Sequence, residues 1–217
     1  MRFVVTAGPT REAIDPVRFI SNRSSGKMGY AIAEAALARK HRVTLISGPA
    51  AIEPPRDAKT VSITTAEELY REVHRSLRRC DVFVMCAAVS DYRPATTSAR
   101  KLRKEKNGFA LRLVPTRDIL GSLPKRRCYL VVGFAAETHG LAKNARKKLS
   151  TKNCDVIVAN DVSGSETGME SDENEVTIFF RDGENKKISR APKKIIAREL
   201  VKIIAKMWEK SLTKKSW

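Results

Sequence analysis

The chain has 217 residues, 42% of them hydrophobic and 30% charged, with a formal net charge of +18. This composition fits one globular domain spanning 1–217, with a basic C-terminal tail from about residue 209. No apolar run approaches the roughly 18 residues of a membrane span, the N-terminus enters a strand pattern directly, and Cys80, Cys86, Cys128 and Cys154 form no C-x-x-C pair; a membrane protein, a secretory leader and a zinc site are set aside, leaving mostly buried, reduced thiols in a cytoplasmic protein.

Phe3 to Thr6 is predicted as the first strand. The loop that follows, Gly8 to Lys27, far exceeds the usual ~2–6 residues of a βα connection. Met28 to Arg39 is predicted as an Ala-rich helix, Val43 to Ser47 as a second strand and Val61 to Ile63 as a third. Thr65 to Arg79 is a helix opened by the capping-box pattern Thr65-Ala66-Glu67-Glu68. Asp81 to Val89 reads as a long fourth strand, apolar on both faces. A second long loop, Tyr92 to Asp118, contains one short strand candidate, Phe109 to Val114. Tyr129 to Phe134 and Asp155 to Ala159 complete six core strands, with a basic helix from Leu141 to Leu149 between them. Val176 to Phe180 and Lys187 to Ser189 flank a hairpin loop, and Pro192 opens a last helix through Trp208. Strands alternating with helices imply an α/β fold: a Rossmann-like three-layer sandwich on a mostly parallel sheet. Both long loops leave the carboxyl ends of strands, where such sheets bind ligands.

The first loop has neither the G-x-G-x-x-G fingerprint nor a Walker pattern, since Met28 follows Gly26-Lys27 where Ser or Thr would hold magnesium. Ser24, Ser25 and Gly26 present hydroxyls and N–H groups at a helix start, which suits either a phosphate or an ordinary cap. Arg18 and Asn22 look buried in that loop and favour a ligand. At the end of the fourth strand, the small residues Ala87 and Ala88 admit either a ligand or a packed helix, and Asp91 is placed to meet a ligand or a magnesium ion. Arg100 to Gly108 is a basic flap, read as solvated surface or as cations that close over polyphosphate. Lys148 and Lys152, spaced i, i+4, share a helix face that suits a bound anion or bulk water.

Five segments occur in order: Thr6 to Glu12, Val17 to Gly29, Ala87 to Tyr92, Gly133 to Thr138 and Val158 to Val162. Together they resemble the phosphopantothenoylcysteine synthetase family, the ligase half of the bifunctional flavoprotein of bacterial coenzyme A synthesis. The resemblance runs from Met1 to about Trp208. It implies a homodimer that joins 4'-phosphopantothenate to L-cysteine in two steps, with CTP as co-substrate and Mg2+ held mainly by the nucleotide phosphates. The bacterial type favours CTP over ATP. By the same resemblance Asn22 engages phosphopantothenate and the acyl intermediate, and Arg18 lies on the substrate side with Ser24, Ala87 and Ala88. Met85, Cys86, Ala87 and Asp91 match nucleotide contacts, as do Lys101 and Lys104 of the flap, with Lys101 catalytic alongside Asn22. Phe134, Lys148 and Lys152 match further nucleotide contacts. So do Arg117, Asp118, Ile119 and Leu120, although Arg117 stands where many members carry proline. The flavin-dependent decarboxylase half is missing from the resemblance, which implies no flavin here and a separate decarboxylase as partner.

Two rivals are weighed against this. A short-chain-type NAD(P) reductase lacks its glycine fingerprint and its Tyr-x-x-x-Lys pair here. A basic nucleic-acid-binding domain would use the charge, but no helix-turn-helix, finger or aromatic ribonucleoprotein motif accompanies the lysines and arginines.

Overall fold

The computed structural model describes residues 1–104, 108–162 and 171–213. The middle of the flap and the tail residues Lys214 and Lys215 lie outside the described residues. In chain order the elements begin with β1 (Arg2–Ala7), β2 (Arg11–Ala13), β3 (Phe19–Ser21), α1 (Lys27–Ala38), β4 (Arg42–Ser47) and β5 (Lys59–Ser62). Next come α2 (Ala66–Ser76), β6 (Val82–Met85), β7 (Tyr92–Pro94), β8 (Leu113–Pro115) and β9 (Leu130–Glu137). Then follow α3 (Leu141–Thr151), β10 (Val156–Asp161), β11 (Glu173–Phe180), β12 (Asn185–Pro192) and α4 (Lys193–Thr213).

Eight strands form one sheet in the order β12-β11-β10-β9-β6-β1-β4-β5. It is parallel from β5 to β10 and antiparallel through the β11–β12 hairpin. Side chains alternate between two cores because successive Cβ atoms in a strand point to opposite faces. Phe3, Val5, Leu45, Val84 and Val158 pack beneath α1 and α4. Val4, Ile46, Phe83, Val131 and Ile157 pack beneath α2 and α3. Strands apolar on both faces therefore sit between two helical layers, the three-layer arrangement expected from their continuous hydrophobic runs. At Gly29 a Cβ would lie 2.6 Å from the Ala7 Cβ, so α1 reaches this distance from β1 only because that position has no side chain. No helix among the described residues is long and apolar enough to cross a membrane.

Several boundaries differ from expectation. β6 stops at Met85 rather than Val89, because its partner β1 ends at Ala7, Gly8 turns away at φ 74, and the N–H groups of Cys86 and Ala87 turn to the Thr6 hydroxyl. β5 lies at Lys59–Ser62, two residues early. The candidate at 109–114 is instead β8, Leu113–Pro115, paired with β7. The sheet has eight strands rather than six, since the hairpin adds to the β10 edge. Pro192 ends β12, and α4 begins at Lys193 and runs on to Thr213. The Thr65 capping box forms as its sequence requires, with Thr65 Oγ1 accepting from the Glu68 N–H and Glu68 Oε2 from the Thr65 N–H.

Candidate active site

The strand order reverses between β1 and β6, a switch point at whose carboxyl edge open α/β sheets bind ligands. Thr6, wholly buried at the end of β1, fixes that edge: its Oγ1 accepts hydrogen bonds from the Cys86 and Ala87 N–H groups, each at 3.1 Å. The two loops then run side by side, with Ala88 N donating to Gly8 O, Thr10 N to Ala88 O, and Ser90 N to the buried Thr10 Oγ1. Asn22 reaches across to the same point, its Nδ2 donating to Ala88 O at 3.1 Å. A cleft of about 490 Å³ opens beside this seam.

Most of the expected site residues line it. Asn22 and Ser24 come from the first loop, Met85, Cys86, Ala87, Ala88 and Asp91 from the end of β6, and Phe134 from β9. Arg117, Asp118, Ile119 and Leu120 form one wall, faced by Lys148 and Lys152 of α3 and its end. Lys148 is half-buried and donates to Phe134 O at 2.6 Å. Burial lowers its pKa, aided by Lys152 and opposed by Cys154, Glu137 and Asp91. Lys152 Nζ bonds Asp118 Oδ2. Burial works against the Asp118 carboxylate, but Lys152, the Gly121 N–H and Lys148 together hold its pKa below the ordinary value. The Cys86 thiol is pushed up to about 12 by burial, with Lys193 opposing, so it is a protonated wall and not a nucleophile.

Three expected residues, Arg18, Lys101 and Lys104, are not in the cleft lining. Arg18 and Asn22 are both exposed rather than buried. The Arg18 guanidinium is taken up by Asp15, through Nε at 2.9 Å and Nη2 at 2.5 Å, and by Leu102 O at 3.0 Å. Lys101 and Lys104 are exposed on the flap. That flap is nevertheless anchored: Asp15 Oδ2 accepts from Leu102 N, Ile14 O from Ser98 N, and Ala13 O from the Thr97 hydroxyl. The Arg117 guanidinium lies over the Tyr70 ring and pairs with Glu67 at 3.2 Å, so α2 already shares it. Ser24 supplies no side-chain cap to α1; its Oγ accepts from the Gly26 N–H, and Gly26 itself sits at the N-cap with φ 81. Of the cysteines, Cys80 and Cys154 are buried, Cys86 is partly covered and Cys128 is exposed.

The sequence reading missed Lys27, Thr116, Asn160, Asn174 and Lys193, which also line the cleft. Lys193 is 5% exposed, donates to Ser171 O at 2.5 Å and has its pKa lowered chiefly by burial. Lys27 pairs with Asp172 at 2.6 Å. Lys27 and Asn160 lie inside two of the quoted segments and could have been found there. Lys193 depends on α4 starting beside α1, which no local pattern encodes. Among the described residues no group of three His, Cys, Asp or Glu side chains could hold a metal by itself. Asp91 and Asp118 line the cleft, however, and one or two carboxylates plus substrate phosphates are a usual Mg2+ environment.

Comparison with known proteins bears on this geometry. The family model for the DNA/pantothenate metabolism flavoprotein C-terminal domain matches residues 1–207. The coenzyme A biosynthesis bifunctional protein CoaBC of Bacillus subtilis (strain 168) is 45% identical over 204 residues, covering 93% of this chain and 50% of that protein. The chain thus spans about half the length of the curated relatives it matches. A crystal structure of the C-terminal domain of a CoaBC protein superposes with TM-score 0.82 at 41% identity, covering 96% of each chain. The DNA/pantothenate metabolism flavoprotein of Streptococcus pneumoniae does so with TM-score 0.81 at 25% identity, covering 95% of this chain and 99% of that one.

Proposed function

The chain belongs to the DNA/pantothenate metabolism flavoprotein C-terminal domain family, and on that premise we propose that it is a phosphopantothenate–cysteine ligase. The observation that carries this reading is the convergence of separated segments on one cleft: Asn22, the Met85 to Ala88 strand end, Asp91, Asp118, Lys148 and Lys152. A short-chain reductase needs a glycine-rich pyrophosphate loop that the β1–α1 connection does not supply.

The proposed reaction has two steps. A carboxylate oxygen of 4'-phosphopantothenate attacks the α-phosphorus of CTP; the P–O bond to the β-phosphate breaks and pyrophosphate leaves. The cysteine amine then attacks the acyl carbon of the cytidylate, losing a proton as the amide forms and CMP departs with the bonding electrons. Positioning and charge neutralisation carry most of the catalysis. The Cys86 to Ala88 backbone, held by Thr6, offers a rigid edge to the cytosine, and Lys148 and Lys152 face the phosphates. Asn22 orients the acyl group, and Lys101 and Lys104 close from the anchored flap. Mg2+ bound to the triphosphate, with Asp91 in reach, would supply further charge neutralisation.

Exposed Val17, Phe19, Tyr92, Phe109 and Leu113 gather on and beside the two small hairpins. Apolar surface of this kind supports a homodimer in which the hairpin faces meet near the phosphopantothenate end of the cleft. Arg18 then acts through the hairpin and flap.

Pyrophosphate release from CTP that requires phosphopantothenate, followed by cysteine-dependent CMP release, tests the proposal. CTP turnover without phosphopantothenate, or none with it, would overturn it. CTP should also raise the melting temperature more than ATP at equal concentration; equal shifts would remove the base preference and leave the ligase reading intact.

A further inference from the structure

At the opposite edge of the sheet lies a second, larger groove of about 860 Å³. It is formed where the parallel strands begin rather than end: Arg2 opens β1, Arg42 opens β4 and Lys59 opens β5. The turn after α1 and the end of α2 close its sides. Its lining holds seven Lys and Arg side chains against one carboxylate, Asp57. Two of the seven are engaged, Arg2 by Asp81 and Arg75 by Glu72. The other five, Lys40, Arg42, Lys59, Arg78 and Arg79, are exposed and have no carboxylate partner among the described residues.

Five like charges around one concavity repel one another, and the ligase reading uses none of them, since the ligase cleft lies at the other edge. A polyanion would remove the repulsion. Arg outnumbers Lys in the groove, and the guanidinium fork matches phosphate oxygens. Half-buried Leu37 and Val61 give the groove an apolar surface between the cations, above buried Phe3 and Val43. That combination suits a chain of phosphates joined by partly apolar units better than inorganic polyphosphate, which has no apolar face. We propose that this basic groove binds the backbone of single-stranded RNA, independently of the ligase cleft. Recognition is by phosphate, without base selectivity, because no exposed aromatic ring lines the groove for stacking.

The test is fluorescence anisotropy of a labelled oligouridylate, about twelve nucleotides long, titrated with the full chain over a range of NaCl concentrations. Five cations that each neutralise one phosphate give log K against log salt a slope of roughly −3.5, at about −0.7 per contact for single strands. The variant Arg42→Gln/Lys59→Gln/Arg78→Gln/Arg79→Gln should weaken binding at least tenfold and flatten that slope to near −1. A control, Lys143→Gln/Lys147→Gln/Lys186→Gln/Lys202→Gln, removes the same charge from exposed positions elsewhere and should change affinity less than threefold. Equal loss in both variants would mean diffuse attraction to net charge and would overturn the site. Displacement of the oligonucleotide by millimolar CTP would move it to the ligase cleft and overturn it too. So would capture of inorganic polyphosphate with no oligonucleotide binding.

Discussion

The carboxylate of Asp15 accepts the backbone N–H of Leu102 at 3.1 Å, joining points 87 residues apart in the chain. Asp15 is 2% exposed, and its other bonds come from the Arg18 guanidinium and from the Val17 and Arg18 N–H groups. One buried carboxylate thus ties the first-loop hairpin to the root of the basic flap.

Removing that tie should free the flap root. Arg18 holds the Asp15 carboxyl well below the usual carboxylate range, against the cost of burial and with help from three backbone N–H groups. A carboxylate with a depressed folded pKa contributes stability that is fully present above its unfolded value, near 3.9, and is lost as pH falls through the folded one. Amide exchange at Leu102 should therefore stay slow down to about pH 4 in the native protein. In Asp15→Asn the protection of that amide relative to a free one should be lost at every pH, with trypsin cutting readily at Arg100 to Lys104. Unchanged exchange in the variant would show that the hairpin and flap are held by other contacts.

Thr6 fixes the Cys86–Ala87 edge through two accepted hydrogen bonds, and Thr6→Val keeps its shape while removing the oxygen. A buried N–H left without an acceptor costs about 1–3 kcal/mol, so the melting temperature should fall measurably. If the Cys86–Ala87 edge receives the base, KM for CTP should rise more than kcat falls. Thr6→Ser should restore both. A variant that melts lower yet binds CTP normally would separate the strand end from nucleotide recognition.

Burial lowers the Lys148 pKa in the free protein, and nucleotide phosphates beside it should raise it again. CTP binding is then linked to proton uptake. Affinity should be highest below the free-protein pKa of Lys148 and should decline, by up to tenfold per pH unit, as pH rises through it. Calorimetric titration between pH 7 and pH 10 reads this directly. Lys148→Met should bind more weakly at neutral pH and lose that alkaline decline; retention of the decline would assign it to another group.

Asn22 and Lys101 should divide the two half-reactions. Asn22→Asp is nearly isosteric but replaces an amide donor by a negative charge beside phosphate, and losing one such donor costs roughly 10²–10³ in rate. It should still form some acyl-cytidylate and consume it poorly. Lys101→Gln should slow pyrophosphate release itself, with little intermediate. Quench-flow with labelled phosphopantothenate, with and without cysteine, distinguishes them. Accumulation of the intermediate in Lys101→Gln would put the flap in the cysteine step.

Much of this architecture is legible in the sequence, and the misses have local causes. Continuous Val and Ile runs located the core strands because a strand covered on both faces has no polar alternation to hide it. The same rule overran β6, since Ala87-Ala88-Val89 is as apolar as a strand. Whether a ladder continues there depends on Thr6, eighty residues earlier, which takes the N–H groups a strand would have used. Arg18 was placed on a ligand although Asp15 stood three residues away, near enough to claim it. Lys193 was invisible because only the packing of α4 on α1 brings its ammonium to the cleft.

Cys86 has a consequence for the chemistry of a cleft proposed to receive cysteine. Free cysteine oxidises in air to cystine, and a protein thiolate that attacks a cystine sulfur forms a mixed disulfide and releases cysteine thiolate. With its thiol pushed up to about 12 by burial, Cys86 is held as the thiol and not as the reactive thiolate at neutral pH. On the ligase reading proposed above, Cys86 therefore resists mixed-disulfide formation at the place where cysteine would be joined. Exposed Cys128, outside the cleft lining, is where such adducts should appear first, and they should leave ligation unimpaired.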